Sequence, residues 1–156
     1  MFNLAENETS HAFVRGFYQA IKVVSAVCHG PAALANVELS NRTYLIARLN
    51  VIGISDVEED ILQFSRHMSF VLDTELREYG GIYEKADGLF GVKVITSGEN
   101  GKLVTDQNTS SAALLSDEPG THYDARPTCK SDADISANKS KIVSKVQPPF
   151  RALIYY

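Results

Sequence analysis

The five residues Val23-Val24-Ser25-Ala26-Val27 constrain this chain more than any other stretch. They are short, mostly β-branched and apolar on both faces, as suits a strand buried at the centre of a parallel sheet. The run stops abruptly at Cys28-His29-Gly30-Pro31. Pro31 fits the first turn of a helix, where its missing N–H costs nothing. A central strand feeding directly into a helix is the beginning of a layered α/β sheet.

Other segments agree with that class. From Glu8 to Ile21 the apolar residues fall at helical spacing, with Phe13, Phe17 and Ile21 on one stripe and Val14 and Tyr18 beside it. Residues 43–55, TYLIARLNVIGIS, read as one or two strands. Glu58 to Met68 is predicted as a helix, and Asp73 to Tyr79 as a second, stopped by Gly80-Gly81. Residues 91–105 form a predicted β-hairpin around Glu99-Asn100-Gly101. After Ser116 the chain turns polar, holds Pro119 and Pro127, and follows neither the helical nor the strand period. We therefore divide it into a folded part, residues 1–116, and an irregular tail, residues 117–156. The last fifteen residues regain apolar character and suit a peripheral strand or an adhesive tail, interrupted by Pro148-Pro149.

Ala26-Val27-Cys28-His29-Gly30 has the form small-x-nucleophile-x-small. A sharp strand-to-helix turn crowds the residues two before and two after its apex, so both must be small. The apex then sits at the carboxyl edge of the sheet, where open α/β folds place ligands. N–H groups at a helix start there favour a thiolate over a thiol. On the pentapeptide alone, a buried structural cysteine beside a loop histidine remains an open reading.

The stretch VVSAVCHGPAALANVELSNRTYLI resembles the nucleophile region of the ThiJ/PfpI superfamily, and the resemblance continues through GISDVEED, FVLDTELREYGGIYEKA and GKLVTDQNTSSA. It is nearest to the stress-induced branch of glutathione-independent glyoxalases (glyoxalase III, or D-lactate dehydratase) with chaperone activity. The resemblance implies a three-layer α/β sandwich with a mostly parallel sheet, flavodoxin-like and of the class I glutamine-amidotransferase type. It implies an adjacent Cys–His pair, Cys28 and His29, with a later acid at Glu59 and Glu58 one register away. The implied reaction turns a 2-oxoaldehyde, methylglyoxal, into D-lactate without metal, glutathione or other cofactor. A peptidase or deglycase using the same cysteine, and a non-enzymatic holdase, are the alternatives. Without the resemblance nothing singles out Glu59, because acidic residues at a helix start are favoured by its dipole and usually solvated.

The family comparison also carries an expectation about extent. The stretch like MFNLAENE follows a glycine-rich turn in family members, which implies an N-terminally truncated member with an incomplete sheet. The missing portion would include an acid that hydrogen-bonds the cysteine and a glycine loop that donates to the oxyanion. Self-association through exposed sheet edges follows from the same expectation. Near the other end, Asp106 stands where glycine is usual and Thr109 where proline is usual.

Remaining candidates carry little. His67 lies on a predicted helix, His11 precedes the apolar stripe and has no partner in the sequence reading, and Cys129 and His122-Tyr123-Asp124 fall in the tail. No spacing suits a metal site and no glycine-rich phosphate loop is present. The net charge of −4, with no Lys/Arg cluster, argues against nucleic acid. No apolar run is long enough to cross a bilayer, and the first ten residues lack a signal-peptide pattern. Two cysteines make no disulfide framework, so the expected compartment is the cytoplasm.

Overall fold

A computed structural model describes residues 2–111 and 152–154. Its elements are α1 (Phe2–Ala5), α2 (Glu8–Gln19), β1 (Val24–Val27), β2 (Asn50–Val51), α3 (Asp56–Ile61), α4 (Leu72–Glu78), β3 (Ile82–Tyr83), β4 (Val94–Ser97), β5 (Leu103–Asp106) and β6 (Ala152–Ile154). Four strands form one sheet in the order β4-β5-β1-β6. β1 runs parallel to both neighbours, with Val24 opposite Leu103 and Ala152, while β4 and β5 form the antiparallel hairpin. A second, two-stranded parallel sheet pairs β2 with β3. The result is a mixed α/β fold with a mostly parallel sheet.

All four residues of β1 are buried, as the unbroken apolar run requires. Val24 and Ala26 join the main core with Leu103, Leu34, Ile54 and Leu76, whereas Val27 packs with Val104 on the opposite face. α4 presents Leu72 and Leu76, four residues apart, to the core. It ends where Gly80 adopts φ +85°, and the Gly81 N–H closes the turn on the Leu76 carbonyl at 2.9 Å.

Several sequence expectations are corrected. The 30–33 segment is a four-residue 3-10 turn with Pro31 in its first turn, so β1 does not run into an α-helix. The long helix from Glu58 to Met68 is instead α3, a break, and a 3-10 turn at Ser65–His67, leaving His67 exposed on that turn. In residues 43–55 the strand shrinks to Asn50–Val51. α2 stops at Gln19 and turns a different face inward: His11, Val14 and Tyr18 are buried, while Phe13 is 56% and Ile21 65% exposed. The reason is a polar anchor, because His11 Nε2–H donates to the Ala5 carbonyl at 2.8 Å and draws that side of the helix into the core. His11 therefore has a partner, contrary to the sequence reading. Of the tail, residues 152–154 supply the peripheral strand that the sequence allowed, while Cys129 and His122-Tyr123-Asp124 lie outside the described residues.

Candidate active site

β1 ends in a strained apex. Cys28 adopts φ +59°, a left-handed conformation that costs a non-glycine residue roughly 1–2 kcal/mol. Neighbouring segments hold it there from both sides. The Cys28 N–H donates to the Asp106 carbonyl at the end of β5, and the Cys28 carbonyl accepts from Ile54 N–H, each at 3.0 Å. Close approach of the 52–54 segment depends on Gly53. A Cβ there would lie 2.8 Å from the Leu72 side chain and 3.0 Å from the Cys28 carbonyl oxygen. Strain fixed by surrounding hydrogen bonds is a mark of functional turns.

The apex aims Cys28 at the next side chain. Sγ of the half-buried Cys28 lies 3.3 Å from His29 Nδ1, and His29 Nε2–H donates to Glu59 Oε1 at 2.7 Å. Thus a sulfur, an imidazole and a carboxylate stand in line, with Glu59 only 1% exposed. The His29 pKa is raised from 6.5 to about 9. The hydrogen bond to Cys28 is the largest cause, that to Glu59 the next, and burial works against both. A protonated imidazole is stabilised by an acceptor at each ring nitrogen, the Cys28 sulfur at one and the Glu59 carboxylate at the other. A ring held in its protonated form can donate a proton, and it becomes a base only after giving that proton up.

The acidic run is also corrected. Glu58 and Glu59 are among the most buried side chains, so the solvated reading fails for both. Ser55 N-caps α3 and forms a capping box with Glu58. The spacing Ser55-x-x-Glu58 is a recognised sequence signal for a helix start, and it could have placed this boundary. Glu58 Oε1 also accepts from Phe90 N–H at 2.6 Å and Gln107 Nε2–H at 2.7 Å. α3 consequently points Val57 and Ile61 outward, 48% and 51% exposed, and its carboxylates inward.

Gln107 and Tyr83 escaped sequence reasoning, and Asp106 entered it only as a departure from glycine. Gln107 Oε1 accepts from Ala86 N–H, stitching the 85–91 loop to the end of β5. Tyr83 donates its hydroxyl to the Gly53 carbonyl at 3.0 Å, and burial pushes its phenol well above the ordinary range. Asp106 is fully buried with Oδ2 unpartnered, and burial raises its carboxyl pKa. A pocket of about 120 Å³ opens beside Ser55, Val57, Gln107 and residues 85–89. Cys28, His29 and Glu59 do not line it, and it is small beside ordinary ligand pockets of about 300–1,000 Å³. Among the described residues no group of histidine, cysteine and acidic side chains could hold a metal ion, and no helix is long and apolar enough to cross a membrane.

No protein-family model matches the chain, and no curated protein matches it. Solved structures do. Rapid Encystment Protein 24 kDa from Francisella tularensis is 31% identical, with a TM-score of 0.67 over 74% of this chain and 49% of its own. Glyoxalase III from Candida albicans is 25% identical, with the same TM-score and the same two coverages. A further crystal structure, 28% identical, has a TM-score of 0.69 over 74% of this chain and 51% of its own. The chain therefore spans about half the length of the solved proteins it matches.

Proposed function

We propose that this chain, whose fold is ThiJ/PfpI and glyoxalase III-like over 74% of its length, is a cysteine-dependent lyase of the glyoxalase III type. The observation that carries the reading is the unbroken line from Cys28 Sγ through His29 to Glu59 on a strained turn. The substrate class is a short 2-oxoaldehyde such as methylglyoxal, and the product is a 2-hydroxy acid, D-lactate.

The steps follow from the proton inventory. Cys28 thiolate adds to the aldehyde carbon, a C–S bond forms, and the carbonyl electron pair moves onto oxygen. That oxygen takes the proton from His29 Nδ1, giving a neutral hemithioacetal and a neutral imidazole. Sulfur bonded to carbon is a poorer acceptor, so the hydrogen bond that is the largest cause of the raised His29 pKa weakens and the ring becomes a base. It takes the proton from the hemithioacetal carbon, and the electrons flow onto the adjacent ketone oxygen to give an enediolate. Returning that proton to the second carbon, with the hydroxyl proton passing between the two oxygens, leaves a lactyl thioester. Water hydrolyses it and frees the cysteine. Glu59, by accepting Nε2–H throughout, keeps Nδ1 as the nitrogen that faces the reacting atoms.

The test is Cys28→Ala, followed by D-lactate formation and by the intact mass of the aldehyde-treated chain. The wild type should acquire a covalent adduct on Cys28 and the variant none; lactate formation unchanged by the substitution would refute the mechanism. Iodoacetamide at neutral pH should modify Cys28 faster than Cys129.

One observation favours a second reading. Val57, Ile61, Phe64, Leu89 and Val92 are all large apolar side chains between 46% and 58% exposed. Surface of this kind suits a holdase that binds unfolded chains. Suppression of client aggregation that survives Cys28→Ala, without aldehyde turnover, would favour it.

A further inference from the structure

We infer that Glu58 is a positioning residue for the His29–Glu59 pair: its carboxylate clamps the first turn of α3 to the 85–91 loop and the end of β5, and so fixes where Glu59 meets His29. The inference rests on the reading of Cys28, His29 and Glu59 as the reacting line.

α3 has only six residues, too few to be stable alone. Its apolar side chains do not anchor it either, since Val57 and Ile61 face outward. The anchor is polar. Glu58 Oε2 accepts from Ser55 N–H at 3.0 Å and Ser55 Oγ–H at 2.9 Å, while Oε1 accepts from Phe90 N–H and Gln107 Nε2–H. Four donors saturate the lone pairs of a fully buried carboxylate. Gln107 follows Asp106, whose carbonyl receives the Cys28 N–H. One side chain therefore ties the helix that carries Glu59 to the strand end that holds the strained turn at Cys28. Glu59 is the next residue, and a misplacement of about 1 Å in such a constellation is enough to lose its function.

The arrangement discriminates between isosteres. Glutamine at 58 has one oxygen and an NH₂ group, so its amide must turn donors toward either Ser55 or the Phe90–Gln107 pair. The Gln107 amide cannot simply flip in response, because its Oε1 already accepts from Ala86 N–H.

The experiment follows the His29 ring by NMR titration in the full chain, with Cys28 alkylation as a second readout. Glu59→Gln sets the scale of the effect. Glu58→Gln should move the His29 titration down by about one pH unit, a tenfold loss of proton affinity, and slow alkylation at neutral pH. Gln107→Met, which keeps the carboxylate but removes one of its donors, should move it in the same direction and serves if Glu58→Gln does not fold. Leu76→Ala, a core truncation away from the clamp, should lower stability and leave the titration in place. A shift in Glu59→Gln with none in Glu58→Gln and Gln107→Met overturns the inference and leaves the functional reading standing. No shift in Glu59→Gln overturns both. A shift in Leu76→Ala equal to that in Glu58→Gln shows general loosening and overturns the positioning role.

Discussion

Removing the sulfur of Cys28 should lower the proton affinity of His29 more than removing the charge of Glu59. His29 stands at about 9 against an ordinary 6.5, an elevation of about 2.5 units. That corresponds to about 3 kcal/mol of preference for the imidazolium. The His29 side chain is only 11% exposed, so little of this is lost to solvent screening. The hydrogen bond to Cys28 ranks above that to Glu59, and burial opposes both. Cys28→Ala should therefore bring the titration down by more than half of the elevation, and Glu59→Gln by less. In either variant burial remains and pulls the ring further toward neutrality. The folded value lies above the unfolded one, so the His29 contribution to stability is fully present below pH 6.5. It is lost as the pH rises through about 9. The assay is the chemical shift of the His29 ring protons between pH 5 and pH 10. If Cys28→Ala still titrates near 9, the carboxylate alone sustains the imidazolium. The sulfur–imidazole contact would then have no electrostatic consequence, and the reasoning from it would fail.

Gly53→Ala should destabilise the protein by about 1–3 kcal/mol in urea unfolding, because the added Cβ meets Leu72 at 2.8 Å and the Cys28 carbonyl at 3.0 Å. Normal stability would mean that the two segments part easily. Cys28→Gly should be more stable than Cys28→Ala by about 1 kcal/mol, since glycine accepts φ +59° without strain. Equal unfolding midpoints would show that the apex relaxes. Asp106→Asn should be more stable than wild type at pH 8, by about 1 kcal/mol, and should lose that advantage at pH 4. Burial raises the Asp106 carboxyl above its ordinary 3.8, so its ionisation opposes folding increasingly as pH rises. An advantage independent of pH would refute this.

Local pattern made β1, the 94–106 hairpin and α4 legible, because each has a period or a stop signal contained within a few residues. The sharp turn at Cys28 was legible from the small residues at Ala26 and Gly30, though not the 3-10 turn that follows it. Elsewhere distant partners decided the outcome. The inward face of α2 was missed because the His11 contact with Ala5 carries no hydrophobic signal. Glu58 and Glu59 look like solvated helix-start acids until His29, Phe90 and Gln107 arrive from three other segments. Sequence periodicity would have turned α3 the other way, with Val57 and Ile61 inside. Resemblance, rather than periodicity, brought Glu59 beside Cys28 and His29.

The sheet order sets a schedule for synthesis. Both strands that flank β1 follow it in the chain: β5 begins at Leu103 and β6 at Ala152. Val24 and Ala152 are 128 positions apart (152 − 24) and end up side by side. At about 5–20 residues per second, β1 waits roughly 6 to 26 s for its second neighbour. Until β6 is made, β1 has β5 as a partner on one side and an unpaired edge on the other, so the nascent chain is open to mispairing at the strand that ends in Cys28. Chaperone demand for this protein should therefore depend on translation speed between residues 28 and 152, and slow codons there would lengthen the exposure.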